Sequence, residues 1–246
     1  MSSPNLISHS SPHGVIRLRY RSRSKSFVYE QRGGNQSAAD ANGISVDGYV
    51  HALFGLAAQS TGNKTLMIGC GGGTLANMLH KAGRRVTVVD IDKVSFKLAR
   101  RYFKLPRAVE CHVDDGVAYL WKTRRKFDVI VVDVFVGETI PAPFFEAAFF
   151  EAVRKRLNAT GFMLMNVCLA KRADDTADRL AVGFKKAGLS VRVLDAPGPE
   201  RNAVVLAGNV RKLRTPRLEM APATGVDEIV EELSEMHFRR TRRVKS

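Results

Sequence analysis

The run Gly69-Cys70-Gly71-Gly72-Gly73 follows a short apolar stretch. Carboxylates then recur after the next three apolar stretches: Asp90, the pair Asp114-Asp115 before Gly116, and Asp133. Glycines in such a turn let a ligand approach the backbone closely, and a helix starting beyond them offers free N–H groups. An acid about 20 residues further on is placed to accept both hydroxyls of a ribose. Asp114 or Asp115 is placed to accept from the exocyclic amine of an adenine, and Asp114 reads equally as the N-cap of the following helix. The glycines alone fit an ordinary strand-to-helix turn. With Asp90 and Asp115 added, they point to an adenine nucleoside. A dinucleotide is disfavoured, because Thr74 stands where GxGxx(G/A) needs Gly or Ala; no GxxxxGK[ST] sequence occurs either.

These acids share a site only if the stretches before them are strands of one sheet. Residues 65–68, 85–89, 108–113, 127–132, 161–167, 190–194 and 203–207 read as strands. Residues 75–81, 93–103, 116–121, 144–157 and 173–186 have helical spacing. Strands alternating with helices predict an α/β domain with a parallel sheet and right-handed crossovers. Ligands bind such a sheet outside the carboxyl ends of its strands, where the glycine run and the acids fall. Upstream, Arg17, Arg19, Arg21, Arg23 and Lys25 alternate with Ile16, Leu18 and Tyr20, a period of two. Residues 15–37 therefore read as a strand or hairpin, with a turn at Gly33-Gly34-Asn35. Residues 48–59 read as a helix. The expected organisation is a disordered 1–14, a hairpin and leading helix over 15–60, the main domain over 61–212, and a tail over 213–246. The tail carries a helix at 227–238 and a basic end.

The 246 residues carry a net charge of +15, from 39 Lys and Arg against 24 Asp and Glu. Much of the excess lies in 17–25 and in Arg239, Arg240, Arg242, Arg243 and Lys245. Such ends can attract nucleic acid nonspecifically. No RRM, KH or zinc-finger signature accompanies them, so they read as solvated tails. No apolar run approaches the roughly 20 residues that span a bilayer, and the N-terminus lacks the apolar core of a signal peptide. Three cysteines without CxxC spacing argue for reduced thiols, no zinc and a cytoplasmic protein.

The pattern resembles the class I S-adenosylmethionine-dependent transferases and, more narrowly, the polyamine aminopropyltransferase (spermidine synthase) family. The resemblance covers about residues 36–166. It rests on Gln36-Ser37, Tyr49 with His51, the 69–73 loop, Asp90-Ile91-Asp92, Asp115-Gly116, and FDVIVVDVF from Phe127. Pro141, Phe144-Phe145 and Phe149-Phe150 follow that run. It implies a Rossmann-like, seven-stranded class I methyltransferase fold behind a small β domain, here shortened to a hairpin. It implies a donor site at Gln36, Gly69, Gly71, Gly73, Asp90, Ile91, Asp114, Asp115 and Gly116. The acceptor side would be Tyr49, His51, Val136 and Glu138. The donor would be decarboxylated S-adenosylmethionine or S-adenosylmethionine itself, the acceptor a small amine in polyamine biosynthesis, the assembly a homodimer, with no metal. Asp133 would take the acceptor's proton, since an ammonium is not a nucleophile until it loses one. Asp133 reads alternatively as a strand-end carboxylate capping local N–H groups.

The sequence departs from the family in two places. The family loop usually reads GGGDG, and Gly72 stands at the acid's position. A second acid usually follows the strand-four Asp by three residues, and Val136 stands there. Glu138 is close enough in sequence to replace a lost acid. The departures point to a divergent member that transfers an aminopropyl group to an unusual acceptor. The missing loop acid suits a donor that keeps its carboxylate, so a methyltransferase is one alternative and a nucleoside-binding protein without turnover another. Met163, Met165 and the Phe pairs read as core or pocket wall, and Trp121 as core or a dimer contact.

Overall fold

The structure, a computed structural model, describes residues 6–22, 25–31, 33–137 and 139–242. Arg23, Glu138, Arg243 and Lys245 lie outside the described residues. Period-two alternation builds an antiparallel sheet, β1 (Leu6–His9), β2 (Ile16–Arg21), β3 (Ser26–Gln31) and β4 (Gly34–Ala39), in that order. Ile16 and Leu18 are buried while Arg17 and Arg19 face outward, as the alternation requires. The expected hairpin is formed by β2 and β3, and β1 and β4 extend it to four strands. Leu6–His9 pairs with Ile16–Arg19 of β2, within the stretch expected to be disordered.

The rest follows the β/α pattern. In chain order the elements are α1 (Gly48–Ala58), β5 (Lys64–Ile68), α2 (Thr74–Lys81), β6 (Arg85–Asp90), α3 (Lys93–Tyr102), β7 (Glu110–Val113), α4 (Gly116–Lys122) and β8 (Phe127–Val132). A 3₁₀ turn (Ala142–Phe145) precedes α5 (Ala147–Arg156) and β9 (Leu157–Leu169). Then come α6 (Thr176–Lys186), β10 (Val191–Asp195), β11 (Arg201–Gly208), α7 (Val226–Glu235) and β12 (His237–Arg239). The sheet order is β12-β10-β11-β9-β8-β5-β6-β7. The β7-to-β9 half is parallel, and β11, β10 and β12 pair antiparallel. Seven of these strands form the expected frame, and β12 is an added edge.

Central β8 shows why its sequence is apolar throughout. Val129 and Val131 pack with α1 and α2, whereas Ile130 and Val132 pack with α4, α5 and α6. The N-terminal sheet lies on α3: Ile16, Leu18, Tyr29 and Ala39 pack on Leu98 and Phe103. Trp121 is partly exposed under the Lys155 ammonium, 4.6 Å from its ring, and is not core.

The C-terminal end differs most from a solvated tail. The expected helix over 227–238 stops at Glu235, and His237–Arg239 pairs with β10. The Arg239 guanidinium donates to fully buried Asp178 (2.8 Å) and to Asp195 (2.6 Å), while Arg201 holds the other side of Asp195 (2.8 Å). Burial opposes ionisation of Asp195, but the two guanidiniums prevail and hold its carboxyl below the usual range. Removing one partner of a buried ion pair strands the other charge, which costs about 3 kcal/mol or more. Arg239→Ala should therefore lower the unfolding free energy by about 3 kcal/mol in urea denaturation. A loss below about 1 kcal/mol would show that water replaces the clamp.

Candidate active site

At the carboxyl ends of β5, β6 and β8 the chain turns where the ladder runs out. Gly69 N donates to Val89 O and Asp133 N to Ile68 O, both at 2.9 Å. Gly69 has φ +93°, and a Cβ there would lie 2.0 Å from the Asp133 carbonyl oxygen. Only glycine lets these two strand ends meet. The 69–73 loop then bends over Asp90. Cys70 N donates to Asp90 Oδ2 and Asp92 N to Asp90 Oδ1, each at 2.7 Å. Burial pushes the Asp90 carboxyl up, and these two N–H groups oppose it. Each carboxylate oxygen keeps a lone pair for a ligand hydroxyl.

A cavity of about 250 Å³ opens here. Gln36, Gly69, Gly71, Asp90, Ile91, Asp114, Asp115, Gly116 and Asp133 line it, and so does Val136, expected on the acceptor side. Gly73 does not line it; it is the left-handed residue that starts α2. The cap of α4 is Asp115, which accepts from Ala118 N at 2.8 Å, and not Asp114. Asp114 instead accepts from Lys122 Nζ at 3.0 Å, which pulls its carboxyl down.

A second cavity of about 440 Å³ adjoins the first and shares Gln36, Cys70, Gly71, Asp133 and Phe135 with it. Tyr49 lines it and donates to Gln36 O at 3.2 Å. Burial, reinforced by nearby Asp133, pushes the Tyr49 hydroxyl far up, so it stays protonated. His51 lines neither cavity. It is fully buried, bonded to Ser45 O at 2.8 Å, and burial keeps it neutral; its role is structural.

Asp133 sits between the two cavities. Its Oδ1 accepts from Asn166 Nδ2 at 2.9 Å, and Asn166 Oδ1 accepts from Asn202 Nδ2 at 2.9 Å. This chain fixes the Asn166 amide with its NH₂ toward the carboxylate. Burial raises the Asp133 carboxyl to about 6; the Asn166 bond opposes the rise, and the charge of Asp47 adds to it.

The loop position Gly72 has a steric reason. A Cβ there would lie 3.0 Å from both the Phe103 ring and Ser37 Cβ, and Gly72 N donates to Ser37 Oγ at 3.0 Å. Ser37 of β4 and Phe103 at the end of α3 crowd that position. Several lining residues escaped the sequence reading. His13 lies in the stretch read as disordered, where Ser11 donates to Asp92. Tyr29 and Ser95 bond each other at 3.1 Å. Asn166 and Asn202 lie inside strands, and no local pattern marks them.

A family model of the spermine/spermidine synthase domain matches residues 48–173, just over half of the chain. The chain is 36% identical over 121 residues to a probable polyamine aminopropyl transferase of Bifidobacterium longum, covering 48% of this chain and 27% of that protein. It is 31% identical over 122 residues to an N-terminal histidine N-methyltransferase of Emericella nidulans, covering 48% of this chain and 22% of that one. The chain thus spans about a quarter of the length of these two relatives. The crystal structure of a probable spermidine synthase from Corynebacterium glutamicum superposes with a TM-score of 0.76 at 20% identity, over 97% of this chain and 92% of that one. At that identity the superposition shows the fold. The matched segment carries the glycine loop, Asp90, the Asp114-Asp115 pair and Asp133, and by it the chain belongs to the spermine/spermidine synthase family.

Proposed function

We propose that the chain transfers an aminopropyl group from decarboxylated S-adenosylmethionine to an amine acceptor. The observation that carries this reading is the charge of the donor cavity. Its described lining holds five carboxylates, Asp90, Asp92, Asp114, Asp115 and Asp133, and no Lys or Arg. Arg201 in the second cavity is engaged by Asp195 and by the carbonyls of Lys171 and Gly198. A donor that keeps its α-carboxylate finds no free cation among these residues. A donor with only cationic groups is favoured. This outweighs the argument from Gly72, whose missing acid suits the intact donor.

Asp90 takes the ribose hydroxyls, and Asp114 or Asp115 the adenine amine. The acceptor enters the second cavity, and its ammonium passes a proton to Asp133. The freed nitrogen lone pair then forms a C–N bond as the aminopropyl C–S bond breaks, and the sulfonium leaves as a neutral thioether. A carboxylate raised to about 6 is a better base near neutral pH than an ordinary one. Beside Asp133 the acceptor meets the neutral amides of Asn166 and Asn202, with Val136 where the family has an acid. Its specificity is therefore expected to diverge from that of relatives with both acids.

Titration calorimetry with the two donors tests the reading. The decarboxylated donor should bind at least about tenfold tighter. Tighter binding of intact S-adenosylmethionine would make the chain a methyltransferase, and binding of neither would remove the nucleoside site. Asp133→Asn leaves four of the five acids of the donor cavity, so donor affinity should fall by less than about tenfold while kcat falls by about 10²–10⁴. The same variant has a stability signature. The folded-state carboxyl titrates above its unfolded value, so ionised Asp133 destabilises the fold once the pH rises through about 4 to 6. Asp133→Asn should therefore raise the unfolding free energy at pH 8 by about 2 kcal/mol, with little effect near pH 4, in urea denaturation.

A further inference from the structure

Part of the positive charge of the two basic segments is paired within the fold. Arg239 is spent inside the fold on Asp178 and Asp195, and Arg19 is paired with Glu30. Among the described cations that form no ion pair, one group lies together on α3. Lys93, Lys97, Arg100 and Arg101 recur at helical spacing on its outer face, opposite buried Phe96, Leu98 and Ala99. Lys104 and Arg107 extend the row past the helix end. All six are exposed, and none forms an ion pair among the described residues. At about 1.5 Å per residue, Lys93 to Arg101 spans about 12 Å, the axial rise of about three or four phosphates of one strand. Four of the six, with Leu105, line a shallow concavity that holds no acid. The acids flanking the row in sequence are taken: Asp92 is buried and caps α3, and Glu110 binds Arg125 (2.7 Å) and His112 (2.8 Å).

We propose that this outer face of α3 is a docking surface for the phosphate backbone of a nucleic acid, read by charge and not by base. A rigid row of uncompensated cations matches a row of phosphates and releases condensed counterions on binding. A membrane surface fits less well. Helices that lie on bilayers interleave cations with exposed large apolar side chains, and between Lys93 and Arg107 no large hydrophobic residue is strongly exposed. The row starts beside Ile91 and Asp92, which wall the nucleoside cavity. A docked polyanion would therefore lie at the edge of the donor site. This surface stands independently of the transfer reaction.

Fluorescence anisotropy tests it with labelled duplex RNA and duplex DNA of about 20 base pairs, between about 50 and 200 mM salt. Binding to either, with a log–log salt slope near −4 for about five phosphate contacts, is expected; the stronger of the two identifies the source. Lys93→Gln/Lys97→Gln/Lys104→Gln removes three charges that make no hydrogen bond in the structure. It should weaken binding at least about tenfold and flatten the slope by about 2–3. Arg17→Gln/Arg211→Gln/Lys212→Gln removes the same charge elsewhere and should stay within about twofold. Equal weakening by both triple variants would overturn the proposal, because binding would then follow net charge alone. So would sedimentation of the protein with vesicles of phosphatidylcholine and phosphatidylserine in equal parts, with no binding to either duplex.

Discussion

The close approach of β5 and β8 at their carboxyl ends is the constraint on which the site depends. The register Ile68↔Val132 brings Gly69 against the Asp133 carbonyl. From that point the loop must curl over Asp90, and its Cys70 N–H fixes one Asp90 oxygen. The Asp133 side chain is left at the seam of the two cavities. A side chain at position 69 would push the strand ends apart, and Asp90 and Asp133 would lose their common frame. The main-chain ladder, more than any side-chain bond, sets the distance between the chemical groups.

The N-terminal sheet completes what the ladder begins. Ser37 from β4 holds the loop at Gly72 N, and Gln36 beside it receives the Tyr49 hydroxyl. The same sheet packs on α3 through Ile16, Leu18 and Tyr29. The glycine loop is thereby clamped between two layers, and the space of the family's loop acid is filled by Ser37 and Phe103.

Much of this was legible in the sequence, and the reason is locality. The strands before Asp90, Asp115 and Asp133 are marked by apolar runs, and the glycines and acids fall at the strand ends by the geometry of any parallel sheet. What stayed hidden depends on distant partners. Asn166 reads as strand interior and Asn202 as the residue before a strand, until pairing of β9 with β11 brings their amides together. Ser11 and His13 look like a polar tail until Asp92 holds the first of them. Arg239 looks like one more basic end residue, yet two acids from α6 and β10 make it internal. His51 sits in a helix face like any pocket residue, and its burial shows only once Ser45 O is found to accept its proton.

The eighth strand also bears on how the chain can fold as it is made. β10 pairs on one side with β11, its neighbour in sequence, and on the other with β12, near the far end of the chain. During synthesis from the N-terminus, β10 therefore exposes a row of unpaired N–H and C=O groups until His237–Arg239 follows it. Open edges of that kind template pairing between molecules. Closure by His237–Arg239, locked by the guanidinium across Asp178 and Asp195, is then the step that ends this exposure. The C-terminal strand makes the nascent chain's window for self-association finite.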